Sequence, residues 1–172
     1  TQITLVDQKG IIRDTATSLN HYQLDLAQTL TAVPTGTSLA DALVDQDVLI
    51  GLSVGNIVTA EMVKTMAPAP IIFALANPVP EIDPNVAQQA GAAVIATGSS
   101  AYPNQVNNIL AFPGLFKGLL ASGLKQFKPQ MESQIAAALA AMISQPTATQ
   151  IVPGVFDQAV VENVVSAVKQ CQ

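Results

Sequence analysis

Residues 71–114 read IIFALANPVPEIDPNVAQQAGAAVIATGSSAYPNQVNNILAFPG, and their rhythm decides the fold. Residues 71–76 form a short apolar run that stops at Asn77-Pro78-Val79-Pro80-Glu81. Asp83-Pro84 then offers an N-cap with proline at the first helical position, and Gly91 ends that helix. A second apolar run, 92–96, passes into a polar loop and then a Leu/Phe-rich helix. Short strands without polar alternation, separated by helices, are the pattern of a parallel sheet covered by helices on both faces. The expected fold class is α/β, a doubly wound parallel sheet of Rossmann-like type with C-terminal helices.

The pattern continues toward the N-terminus. Residues 48–52 read as a strand leaving through Ser53-Val54-Gly55-Asn56, and Thr59 caps the next helix with Glu61 in its first turn. Ser38-Leu39-Ala40-Asp41 resembles a capping box with Asp in place of Glu. Before it, Pro34-Thr35-Gly36 breaks a helix expected over 20–30, whose stripe is Tyr22, Leu24, Leu26, Ala27 and Leu30. Residues 3–6 form a β-branched strand with Asp7 at its exit, and Lys9-Gly10 turns the chain into a second extended piece, Ile11-Ile12. The chain opens at Thr1 directly on that strand, which reads as a fragment of a longer domain.

Toward the C-terminus the chain is helical. Pro113 must kink or restart the helix after Asn108. Residues 131–143 form an Ala-rich helix suited to close packing, and Asp157 opens a last helix striped by Val160, Val161, Val164, Val165 and Val168.

In a parallel α/β sheet, ligands bind at the carboxyl ends of the strands. Asp7, Ser53, Asn77 and the 97–100 segment each follow a strand, which predicts a cleft for a polar ligand. Asn104, Gln105, Asn107 and Asn108 crowd the entrance of a helix. They suit either a seat for a small anion such as a carboxylate or simple helix caps. His21 has no acidic or nucleophilic partner nearby in sequence and reads as a surface or capping residue; Asp45 and Asp47 read as a solvated turn rather than a metal site.

Composition narrows the classes. The chain of 172 residues is 49% apolar and only 11% charged, with net charge -5. Seven basic residues against that balance argue against nucleic acid and anionic membranes as partners. No apolar run reaches the roughly 18 residues of a membrane span. Cys171 is the single cysteine, so an internal disulfide is ruled out, and a cytoplasmic location fits. The Gly-rich phosphate turns of dinucleotide and mononucleotide sites are absent, as are CxxC and HExxH.

Three stretches, 71–81 (IIFALANPVPE), 102–114 (YPNQVNNILAFPG) and 6–12 (VDQKGII), together resemble the C-terminal NAD(P)-binding domain of bacterial malic enzymes. The loop 151–157 (IVPGVFD) is similar to the segment before that family's last helix. The resemblance is collinear over nearly the whole chain. It implies that residues 1–172 are a partial NAD(P)-binding domain, from strand 2 of the dinucleotide fold onward, with a C-terminal helical segment. It implies oxidative decarboxylation of (S)-malate to pyruvate and CO2 by the intact protein, a homodimer or higher oligomer using NAD and a divalent cation, Mg or Mn. Substrate binding is implied for Asn77, Asn107 and Asn108, and cofactor binding for Asp7, Ser53, Val54, Gly55 and Asn77. The acid tyrosine, base lysine, metal ligands and Gly-rich turn all fall upstream, so this stretch holds no catalytic or metal residue and is expected to be inactive alone. Asp7 should repel a 2′-phosphate, which favours NAD over NADP. The family usually carries Arg and Asp at Ser99 and Ala101, Pro-Gly at Gly55-Asn56, and often Ser-Pro at Gly154-Val155. Two other readings stay open: a non-catalytic nucleotide-binding or subunit-packing module, and conversion of malate to lactate without net redox change.

Overall fold

Three parallel strands carry the architecture. In the computed structural model, which describes residues 2–15, 19–29 and 35–171, they are β3 (Val48–Gly51), β4 (Ile71–Ala74) and β5 (Val94–Thr97). They lie side by side in sequence order, with Val48 opposite Ile71 and Ile71 opposite Val94. This is one winding direction of an open α/β sheet. The strands are four residues each, shorter than expected, and β5 starts two residues later than the apolar run does. Ala92 and Ala93 belong to the turn into it, where Ala93 N–H bonds Pro70 O at 2.9 Å.

Before the sheet come β1 (Val6–Asp7), β2 (Gly10–Ile11), α1 (His21–Thr29) and α2 (Leu39–Leu43). Between the strands run α3 (Ala60–Lys64) and α4 (Pro84–Gln89). Caps set the helix starts. The Ser38–Asp41 capping box is complete: Asp41 N–H bonds the Ser38 side chain, and Asp41 Oδ2 accepts from the Thr37 and Ser38 N–H groups. Those bonds, with the Ser38 backbone contribution first, hold the Asp41 carboxyl below its ordinary pKa. Thr59 caps α3 and Asp83 caps α4, with Pro84 in the first turn. Gly91, at φ 111, lets the chain leave α4. Leu30 and Pro34, part of the expected first helix and its break, lie outside the described residues.

One apolar cluster sits against the sheet: Leu43, Leu49, Val58, Val63, Met66, Ile72, Ala74, Ile82, Ala87 and Ala92. The expected cover on both faces is only half present among the described residues. Along β3 the burial alternates, with Leu49 buried while Val48 and Ile50 stand 45% and 63% exposed. A strand in the middle of a covered sheet would hide both rows.

The C-terminal part is a second cluster. Pro113 restarts the helix rather than kinking it. A single 3₁₀ turn, Asn108–Leu110, ends before α5 (Phe112–Ser122), and Pro113 lies in the first turn where its missing N–H costs nothing. α6 (Pro129–Ala141) and α7 (Gln158–Lys169) follow, the latter capped by Asp157 as expected. Leu115, Met131, Ile135, Val164, Ala167 and Val168 form their common core. Close packing comes from α5 more than from Ala-rich α6: Gly114 and Gly118 lie against Val164 and Val168. Lys117 of α5 and Glu162 of α7 pair at the surface, and the Lys117 hydrogen bond is the main reason the Glu162 carboxyl is held below its usual pKa. Both groups are exposed, so the pair contributes little stability.

Candidate functional site

The carboxyl ends of β3 and β4 are stitched into one platform. Leu75 N–H bonds Gly51 O at 3.1 Å, the last rung between the strands. Beyond it the loop after β3 docks onto the loop after β4. Asn56 N–H bonds Pro80 O at 3.0 Å and Val58 N–H bonds Glu81 O at 2.9 Å. Gly55 sits so close to Val79 that a methyl there would lie 2.7 Å from the Val79 carbonyl oxygen. Asn56 takes φ 61, so the Gly55-Asn56 pair keeps a tight turn although the second residue is not glycine. The Asn77–Pro78 peptide in the second loop is cis.

The pin of this platform is Glu81, 1% exposed. Its Oε1 accepts from Ser53 N–H at 2.9 Å and its Oε2 from Ala76 N–H at 3.0 Å. Gly51 makes room, since a Cβ there would lie 2.4 Å from the Glu81 carboxyl carbon. Sequence reasoning passed over Glu81. The available signal was an acid directly after the proline-rich strand exit, in a chain with few charges.

The third exit belongs to β5. The chain loops out through Gly98-Ser99-Ser100 and returns alongside, with Gln105 bridging Thr97 in parallel and Val106 N–H bonding Thr97 O at 2.8 Å. Residues 105–107 therefore extend the direction of β5 past its carboxyl end. Asn108 comes out on the same edge as Asn77, because Ala74 pairs with Thr97 and Thr97 with Gln105.

The four residues of the Asn cluster divide by role. Asn104, 6% exposed at φ 56, is neither an anion ligand nor a cap. Its amide donates to Ile95 O at 2.9 Å and Ala148 O at 2.8 Å, and its Oδ1 accepts from Ile151 N–H at 2.9 Å. All three bonds are spent tying β5 to the 148–151 loop. Asn107 caps the 3₁₀ turn, accepting from Ile109 N–H at 3.1 Å, with a longer bond to Gly98 O. Gln105 also reaches toward Gly98 O. Asn108 and Asn77 are exposed, and neither amide is bonded within the chain among the described residues. Of the three amides expected to meet substrate, two are thus free at one edge, while Asn107 is partly committed.

Ser53, Val54 and Gly55 border the same edge. The expected place of Asp7 at the exit of a strand in the parallel sheet is corrected. Asp7 lies in a separate two-stranded antiparallel hairpin, paired with Gly10, because Gly10 at φ 109 reverses the chain within two residues. The strand expected over 3–6 is reduced to Val6–Asp7. Both Asp7 oxygens are engaged, Oδ1 by Lys9 N–H at 2.7 Å and Oδ2 by the Gln23 amide at 2.9 Å. Ser99 and Ala101 lie in the β5 exit loop, where Ser99 Oγ accepts from Ala101 N–H. Asp45 and Asp47 are exposed in a turn. No group of three or more His, Cys, Asp or Glu side chains that could hold a metal exists among the described residues.

Parallel strands in sequence order, joined by helices, with polar loops gathered at the carboxyl edge, define a Rossmann-like α/β domain of the dinucleotide-binding class. The family described as "Malic enzyme, NAD binding domain" matches residues 1–171. The chain belongs to the malic enzyme family through that domain. It is 41% identical over 169 residues to a bifunctional malic/malolactic enzyme of Bacillus subtilis, covering 96% of this chain and 41% of that protein. With an NAD-dependent malic enzyme of Geobacillus stearothermophilus it shares 42% identity over 165 residues, covering 95% and 34%. An NADP-dependent malic enzyme of Halomonas elongata is 34% identical, with 98% of this chain and 43% of that one covered. The crystal structure of an NAD-dependent malic enzyme from Thermotoga maritima superposes with TM-score 0.89 at 43% identity, over 98% of this chain and 45% of that chain. The chain therefore spans less than half the length of these relatives. No helix among the described residues is long and apolar enough to cross a membrane.

Proposed function

We propose that this chain is the nucleotide-binding portion, residues 1–172, of an NAD-dependent malic enzyme that converts malate to pyruvate and CO2. The observation that carries the reading is the pair of uncommitted amides, Asn77 and Asn108, on one carboxyl edge beside the Ser53–Gly55 loop. A neutral amide donates to a carboxylate oxygen and accepts from a hydroxyl without adding a charge that titrates or repels. Asn108, with Asn77 and the partly committed Asn107, would hold the acid substrate; Ser53, Val54 and Gly55, with Asn77, would border the dinucleotide. A bound nicotinamide dinucleotide supplies the hydride acceptor. No cluster of side chains among the described residues fits a divalent cation. Proton-transfer groups and a cation, Mg or Mn, belong in this reading to the rest of the protein, as does the homodimer; the location is cytoplasmic, and the chain alone is inactive.

In the whole protein, Asn108→Ala lowers kcat/KM for malate by about 10- to 100-fold, the order of one lost bond to a charged substrate. An unchanged kcat/KM removes Asn108 from the site, and a wild type that does not turn over malate leaves only a non-catalytic module. A second reading is favoured by the Bacillus subtilis relative, whose name includes malolactic activity. Product analysis decides between them: pyruvate with reduced dinucleotide supports the first, lactate the second.

Cofactor choice rests on Asp7, since the relatives include enzymes named for NAD and for NADP. A carboxylate there repels a 2′-phosphate and accepts from ribose hydroxyls, once the Gln23 amide yields its oxygen. In the whole protein, kcat/KM is higher with NAD than with NADP, and Asp7→Asn narrows the gap. Equal values in the wild type would remove Asp7 as the determinant.

A further inference from the structure

The rung from Leu75 N–H to Gly51 O is the last bond the β3–β4 ladder makes. Past it the two chains part, and the N–H groups of Ser53 and Ala76 would be left without acceptors. Both find the Glu81 carboxylate, one on each oxygen. An acceptor with two oxygens is required. A glutamine amide presents one and turns its own N–H toward the second donor, while aspartate is one methylene short. The two ion pairs among the described residues, Lys64–Glu61 and Lys117–Glu162, leave Glu81 out. Burying a carboxylate with no cation beside it is costly, and a bare strand-end gap can be closed by an ordered water. Residue 81 does more than a water would: its carboxylate joins Ser53 to Ala76 while its main-chain carbonyl accepts from Val58 N–H, so one residue fixes both loops.

We propose that Glu81 is a positioning residue that locks the Ser53–Gly55 loop and the Asn77 loop into one rigid edge, so that dinucleotide and acid substrate are held at a set spacing. The proposal rests on the nucleotide and malate reading above. Glu81 touches neither ligand and acts through Ser53 and Ala76.

The test uses the whole protein, with NADH and malate as probes and thermal unfolding measured beside them. Glu81→Gln raises the NADH Kd and the malate KM together, each by about tenfold, the order of one hydrogen bond to a charged group lost within the platform that positions both ligands. Met131→Ala, in the distant helical core, lowers Tm comparably but leaves both constants within about twofold. Gly51→Ala provides an independent route should Glu81→Gln not fold, because its methyl drives into the carboxyl while the charge stays. It too must raise both constants. Should either folded variant leave both constants unmoved, or move only one, the proposal is overturned and Glu81 is a fold staple. A wild type that fails to bind NADH overturns the nucleotide reading itself, an outcome distinct from a failure confined to the variants.

Discussion

Asn104→Ala costs about 3–5 kcal/mol of folding stability, read as a fall in the urea midpoint at unchanged slope. Three groups lose their partner at once: Ile95 O, Ala148 O and Ile151 N–H. The residue is 6% exposed, so water does not readily replace those bonds. Alanine must also hold φ 56, a conformation asparagine tolerates better. Two companions separate the terms. Asn104→Gly relieves the backbone strain while losing the same bonds, so it costs less than alanine by about 1 kcal/mol. Asn104→Asp replaces two donors with a carboxylate facing two carbonyl oxygens and is at least as damaging as alanine. A loss below about 1 kcal/mol for Asn104→Ala would mean that the 148–151 loop is not held by this amide.

Gly114→Val comes next, at about 3 kcal/mol or more, with α5 displaced from α7. A Cβ at residue 114 would stand 2.6 Å from Val164 Cβ and 2.9 Å from Val161 O. The second contact is with backbone inside a helix, which cannot rotate away as a side chain can. Val164 is wholly buried and cannot retreat without opening the cluster it shares with Met131 and Val168. Gly154→Ala is the control. Its Cβ meets nothing within 4 Å, so its effect stays within about 0.5 kcal/mol. Similar midpoints for the two variants would show that α5 and α7 are not packed at this distance.

The contrast between Asn104 and Asn108 shows how far residue chemistry carries the site. Both stand in the same short polar run, and both suit an amide that binds carboxylate. Which one is spent on the fold depends on Ala148 and Ile151, more than forty positions away. Asp7 makes the same point in reverse. An acid after an apolar run reads as a strand exit, but Gly10 folds the run back on itself. Glu81 was overlooked because its two donors come from different strand ends, one of them 28 residues distant.

Local chemistry sufficed for the helix starts at Ser38, Thr59, Asp83 and Asp157, for an interruption at Pro113 though not its kind, and for the parallel alternation, because caps, proline and apolar runs act over a few residues. The division of asparagines into staples and free amides, the burial of Glu81 and the close approach of α5 to α7 needed the closed chain. Each depends on partners brought in from remote segments, and whether a polar group is available to a ligand is settled only when every donor and acceptor around it has been assigned.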